Sequence, residues 1–290
     1  MTAMPQPFRV ALPRLAVALG LGLALIGCGE NRTRPSHGEY TAPEPEPLAC
    51  WPNLDGQIDS AEIQTAYGET IRYLVTPYGV ERPVNVAGGL NAQGQLVWEW
   101  STDYADDQVV RVVPSTVTDK WYAASFPTGQ IVTPFDAAGR TESIARQDAE
   151  ALWLLGVAST DPDPPEGRTL LVYAEPVAVL RFPVAPGQTF VSTGNITNGF
   201  VRGLQYAGKD VYEIAVDAMG EIRLPQITFS QVHRVRTRVT VEPAVGSSTS
   251  RRQASFFAEC FAEVARAVSV AEEAEPDFTT AAEIWRLGFE

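Results

Sequence analysis

The sequence predicts a mainly β protein. It reads as a single domain with one large curved antiparallel sheet, half-barrel or barrel-like, and one or few short helices. Three observations lead there. From residue 69 onwards most apolar segments alternate with a period of two rather than 3.6. The 22 prolines and 23 glycines supply the punctuation for many short strands. No linker composition divides residues 50–290, and an open sheet of that size would expose its edges, so the sheet is expected to curl or close.

The chain opens with a positive region, Arg9 and Arg14, followed by an apolar run from Leu15 to Ile26. That run has the length of a signal-peptide core and is too short to span a bilayer comfortably. It ends in Leu25-Ile26-Gly27-Cys28, which resembles a bacterial lipobox. The resemblance implies a signal peptide over residues 1–27 and a diacylglycerol on the Cys28 thiol. It also implies acylation of the new amine and a membrane held through this lipid anchor. Gly29 follows, where the inner-membrane lipoproteins of that class carry Asp, so the implied location is the bacterial cell envelope at the outer membrane. An ordinary secretory signal with a chance cysteine is the alternative. Two or three acyl chains anchor stably where one is marginal.

Residues 28–49 form the expected tether. Pro43-Glu44-Pro45-Glu46-Pro47 reads as extended polyproline II, and the segment has too few apolar residues to fold alone. Asn31 and Asn195 match N-x-T, which a bacterial lipoprotein leaves unmodified. The formal net charge is −13, falling to about −15 once Arg9 and Arg14 leave with the signal. Such a surface repels phosphate backbones, which argues against a nucleic-acid partner.

Residues 50–290 are the expected β-rich globular domain. With Cys28 assigned to the lipid, Cys50 and Cys260 remain as an even pair in an oxidising compartment and are predicted to form a disulfide. Two separate buried thiols are the alternative. The stretch CWPNLDGQIDSAE that follows has near EF-hand spacing. Asn53 and Asp55 take the third and fifth ligand positions and Gly56 the sharp turn. Gln57 offers a carbonyl, Asp59 a direct or water-bridged ligand, and Glu62 the bidentate closure. Trp51 stands at the first ligand position and has no side-chain oxygen. The competing reading uses the same residues without metal: Asp55-Gly56 as a tight turn and Asp59-Ser60-Ala61-Glu62 as a capping box opening a helix from Ser60 to about Tyr67, stopped by Gly68. The second reading is preferred, with weak calcium as the alternative and no other cofactor expected.

The remaining elements follow from alternation. QLVWEWS places Leu96, Trp98 and Trp100 on one face, and VVRVV (109–113) and KWYAASF (120–126) follow as strand candidates. TESIARQDAEALWLLGVAS (141–159) is one strand, or two broken by a bend. DPDPPEG (161–167) is a hairpin loop before TLLVY (169–173). DVYEIAVD sets Tyr212, Ile214 and Val216 against Glu213, and AMG (218–220) is read as a turn into EIRLP. HRVRTRVTVE opposes Val235, Thr237, Val239 and Val241 to an arginine ladder, Arg234, Arg236 and Arg238. The ladder is expected to be a solvated strand face paired across the sheet with Glu or Asp rather than an anion or lipopolysaccharide site. FFAECFAEVARAVSV (256–270) is read as strand against its helical composition. TTAAEIWRLGF is a short helix or a last strand.

LRFPVAPGQTF, GEIRLPQITFSQVHRVRTRV and FFAECFAEVARAVS together resemble uncharacterised bacterial lipoproteins, over roughly residues 170–290. Ala262 stands where that pattern has Gly. Domains of this kind are likened to the half-barrel of periplasmic lipoprotein carriers, in which a curved sheet wraps a helix and can hold acyl chains. The resemblance implies a fold and no reaction.

No nucleophile elbow, zinc-protease helix, phosphate loop or dinucleotide fingerprint occurs. The only histidines are His37, in the tether, and His233, read as a core or edge residue because it shares a face with Val235 and Val239. No catalytic residue is assigned. The expectation is a lipid-anchored, non-enzymatic envelope protein with an interaction or structural role, facing another envelope protein. The alternatives are a module for a lipid or other apolar ligand lined by Trp98, Trp100, Trp121 and Trp153, a weak calcium-dependent surface module, and an unrecognised hydrolase.

Overall fold

The computed structural model describes residues 50–289. The signal peptide, Cys28, Gly29, Asn31, His37 and the tether lie outside the described residues. In chain order the strands are β1 (Ile71–Val75), β2 (Arg82–Pro83), β3 (Gly89–Leu90), β4 (Leu96–Glu99), β5 (Gln108–Val112), β6 (Ile131–Pro134), β7 (Thr141–Gln147) and β8 (Ala151–Ser159). There follow β9 (Leu170–Arg181), β10 (Gln188–Val201), β11 (Leu204–Arg223), β12 (Thr228–Pro243), β13 (Thr249–Ala258), β14 (Ala262–Ser269) and β15 (Thr280–Gly288). The only helices among the described residues are two 3-10 turns, Ser60–Glu62 and Ala123–Ser125.

Twelve strands form one antiparallel path, β5-β1-β15-β14-β13-β12-β11-β10-β9-β8-β7-β6. It is nearly closed and barrel-like. The first long strand pairs with the last, Arg72 opposite Gly288 and Val75 opposite Trp285. The two ends of the path meet at Ser115, just after β5, which exchanges backbone hydrogen bonds with Val132 of β6 at 2.9 and 2.8 Å. A groove of about 370 Å³ between Gln108–Arg111 and Pro134–Gly139 marks the rest of that seam. The mainly β expectation with a large curved sheet therefore holds.

Both faces of the central strands are covered, which explains why their sequences mix apolar runs with alternation. Val232 and Phe256 pack under the segment carrying Val84, Val86, Trp98 and Trp100. His233 and Val235, on the opposite face of β12, pack under residues 56–63. The half-barrel resemblance implied a helix in the sheet's embrace. No such helix occurs among the described residues, and extended chain does the covering instead.

Four local readings need correction. The helix expected from Ser60 to about Tyr67 stops after one 3-10 turn, because the Gln147 side-chain amide takes the carbonyls of Ser60 and Ile63 at 2.7 and 2.8 Å. Those carbonyls are then lost to a helical ladder, and Ile63 extends into the core. KWYAASF is a loop with a 3-10 turn, not a strand. Tyr122 and Phe126 meet edge to face at 5.9 Å, and the Tyr122 hydroxyl donates to buried Glu142. AMG is not a turn. β11 runs through it with irregularities between Val216 and Ala218 and between Gly220 and Ile222. Gly220 is required there because a Cβ would lie 2.4 Å from the Leu96 carbonyl, where β4 joins β11 in parallel. Finally, the arginine ladder is paired with acids as expected, but Arg234 is buried rather than solvated, with Asp217 at 2.8 Å.

FFAECFAEVARAVSV is two strands, β13 and β14, turning at Glu259–Phe261. The last segment is β15. The Trp153 stretch is two strands, β7 and β8, bent at Asp148–Glu150.

The end of β15 is locked by a buried ion pair between Arg286 and Asp107, each almost wholly inaccessible. Arg286 also donates to the carbonyls of Trp100, at 3.0 Å, and Thr102. Removing one partner of such a pair leaves a buried charge uncompensated. Asp107→Ala is therefore expected to lower unfolding free energy by about 3–5 kcal/mol, read as a shift of the urea midpoint at unchanged slope.

Candidate functional site

The predicted disulfide is present, Cys50 to Cys260, with the Cα atoms 5.6 Å apart and a sequence separation of 210. It starts a strap, residues 50–63, that crosses the sheet. The Leu54 N–H donates to Glu259 Oε2 at 2.9 Å, and the Cys260 N–H to the Glu62 carbonyl at 2.8 Å. Ile58 exchanges two backbone hydrogen bonds with Val184, at 3.0 and 2.8 Å, in the β9–β10 connection. With the Gln147 bonds already described, the strap is held by β7, by the β9–β10 connection, by β12 and by the β13–β14 turn. Ile58 and Ile63 fill a cluster with Leu180, Val184, Ile214, Val216 and Val235. Burying two β-branched side chains against five others is worth several kcal/mol before the entropy of ordering the strap is counted.

His233 is fully buried beneath it. Its Nε2–H donates to the Gly56 carbonyl at 3.0 Å, which fixes the tautomer, and Nδ1 has no partner. His233 is thus a core residue that seats the strap, as its sequence neighbours indicated.

The five loop residues weighed as metal ligands are tied mostly to each other. Asn53 turns its amide nitrogen to Glu62 Oε1 at 2.8 Å and its oxygen to the Asp55 N–H at 2.8 Å. Asp55 accepts from the Gln57 N–H at 3.1 Å. Glu62 Oε2 accepts the Asp59 N–H at 2.8 Å, and the capping box is formed. Gly56 takes a left-handed conformation, φ 91°, as the sharp turn requires. Both oxygens of the expected bidentate closure are therefore engaged from within the loop. Burial, and then the nearby Glu259, Asp59 and Asp55, raise the Glu62 carboxyl above its ordinary value. No group of three histidine, cysteine or carboxylate side chains among the described residues is arranged to hold a metal.

The four tryptophans are not brought to one face. Trp98 and Trp100 meet Phe256 edge-on at 4.8 and 4.9 Å, with their indole N–H groups on Val86 and Asn85 carbonyls. Trp121 donates to Ser159 in a separate cluster, and Trp153 donates to Asp148.

One buried group escaped the sequence reading. Tyr173 donates to Asp210 Oδ2 at 2.6 Å and lies 3.0 Å from the Tyr212 hydroxyl, while Asp210 Oδ1 is buried without a partner. The signal was available: Asp210 shares the inward face of Tyr212, Ile214 and Val216, two residues upstream. Burial raises the Asp210 carboxyl, against the lowering effect of the Tyr173 hydrogen bond, and burial pushes the Tyr212 phenol up to about 12. A half-satisfied buried carboxylate can hold a proton or accept a cationic group, but the structure forms no cavity beside it among the grooves described. A groove of about 610 Å³ lies over β10–β13 and is lined by Arg236, Arg238 and Arg252. Those charges are engaged by Asp217 and Asp277, by Glu213, and by the Glu273 and Ala274 carbonyls.

Comparison with protein-family models, with curated proteins and with solved structures finds no match to this chain.

Two outcomes follow. Ile58→Ala removes a wholly buried side chain that joins the strap to the sheet, and is expected to cost about 2–5 kcal/mol in urea unfolding. Asp210 has a raised folded-state value, so its contribution to stability is full below the ordinary carboxylate range and is lost as pH rises through the raised value. Asp210→Asn should therefore flatten that decline, narrowing the gap in midpoint between mildly acidic and neutral pH. An unchanged pH profile would remove the buried charge from the account.

Proposed function

We propose that the protein is a lipid-anchored envelope lipoprotein whose globular domain has a non-catalytic, interaction or structural role. The observation that carries this is Leu25-Ile26-Gly27-Cys28 at the end of a short apolar run with a basic start. The disulfide supports it in two ways. A native bridge between distant cysteines suits an exported, oxidising compartment. It also accounts for Cys50 and Cys260, leaving Cys28 as the third cysteine of the chain.

The arrangement also suits a tethered domain. Any pull on residues 28–49 arrives at Cys50, where a covalent bond passes it directly to the β13–β14 turn. The strap behind it therefore does not have to bear that pull through hydrogen bonds alone. Gly29 favours the outer membrane as the site of the anchor.

Intact-mass analysis of the protein purified from membranes tests the proposal. A mature chain beginning at Cys28 and carrying acyl chains is expected, with palmitate labelling abolished in Cys28→Ala. A mature N-terminus elsewhere, or an unmodified Cys28, would contradict it.

A further inference from the structure

The disulfide corner carries a second feature that the anchor alone does not explain. Trp51 is 72% exposed, Leu54 47% and Phe261 49%. Large apolar side chains are singly exposed on most proteins without meaning, but these three belong to one covalently closed corner. Trp51 follows Cys50, Phe261 follows Cys260, and the Leu54 N–H is bonded to Glu259. Phe261 is propped edge-on against Phe229 at 5.0 Å.

The backbone that presents them is unusual too. Leu54, Cys260 and Ala262 all take left-handed conformations, with φ of 55°, 66° and 56°. Non-glycine residues adopt that region at a cost, and only where the surroundings impose it. Here the disulfide and the Glu259 hydrogen bond tie the two segments together, and the tryptophan, leucine and phenylalanine that they carry form an exposed rim.

What covers this rim is indicated by where the chain goes. Residues 28–49 leave the domain at Cys50, next to Trp51, so the lipidated Cys28 is 22 residues from the rim. That length is at most about 75 Å fully extended. A short tether keeps the corner at high effective concentration at the surface that holds its anchor. Tryptophan and phenylalanine are the side chains that partition into the bilayer interface.

We infer that the Trp51–Leu54–Phe261 rim docks onto the lipid surface that holds the anchor, fixing the domain's orientation on the membrane; this rests on the lipoprotein reading above. The docking is apolar rather than electrostatic. Asp55 and Asp59 lie exposed in the same loop and the chain carries a net −13, so the rim fits zwitterionic headgroups and gains nothing from anionic ones.

The test uses the full purified chain in phosphatidylcholine vesicles with bromine-labelled acyl chains, which quench tryptophan on contact. Wild-type protein is expected to show a quenchable component that Trp51→Ser loses, and Leu54→Ser/Phe261→Ser should reduce it at least twofold. Both variants alter exposed positions and keep the disulfide. Equal quenching in wild type and Trp51→Ser would overturn the inference, as would rim-dependent dimerisation in place of quenching, which gives the surface to a second copy. Intact mass, read on the same sample, separates this from the anchor: an acylated chain without Trp51 quenching loses the docking and keeps the anchor. A non-acylated chain that is still quenched on added vesicles keeps the docking and loses the anchor.

Discussion

The interaction on which the rest depends is the bridge from Cys50 to Cys260 with the strap that it begins. A nearly closed sheet of this kind joins segments far apart in sequence: β1 pairs with β15, and Cys50 with the turn before β14. Contacts so distant in sequence are entropically expensive to form. A covalent link closing a loop of this length offsets about 5 kcal/mol of that in the chain-entropy model. The strap then covers the His233–Val235 side of β12, while the Trp98–Trp100 segment covers the Val232 side. Without the first cover, His233, Val235 and Ile214 would face water, and β12 would have one dry side instead of two.

The same two-sided burial explains where the sheet departs from regularity. β11 is 20 residues long and changes which side chains face the strap. Its irregularities near Asp217 and Glu221 let Ile214 and Val216 serve the strap cluster, while Ile222 serves the tryptophan cluster. Asp217, at the first irregularity, is the acid that receives both Arg234 and Arg236. A bulge that re-aims a strand thus also supplies a shared carboxylate partner for two neighbouring arginines.

Much of the fold was legible because period-two alternation is a local signal. The strand segments within β8, β9, β12 and β13 and the hairpin loop after Ser159 are legible, and of the two readings of residues 141–159 the fold takes the one with two strands. What failed was set by distant groups. Ser60–Tyr67 has a fair helical start, but Gln147, more than eighty residues on, takes its carbonyls. AMG looks like a turn until β4 approaches Gly220 from 120 residues upstream. The loop at 50–62 shows the limit most clearly for the site. Its residues suit either a cation or their own backbone, and the sequence favours the second only through Trp51 at the first ligand position. In the fold Glu62 faces Asn53 and the Asp59 N–H, Gly56 rests on His233, and Leu54 on Glu259. Asp210 was overlooked for a different reason: an acid on an apolar face looks like an interruption unless its tyrosine partner, 37 residues away, is known.

The bridged strap holds the sheet together from its covered face. Hydrogen exchange of the oxidised and the reduced, alkylated protein tests it most directly. Reduction is expected to expose the amides of residues 54–63 first, and to lower protection in the β9–β10 connection, β11 and β12 at Val184, Ile214 and Val235, with β6 and β7 amides away from Gln147 less affected. Protection of residues 54–63 and of β12 that is unchanged by reduction would contradict the account.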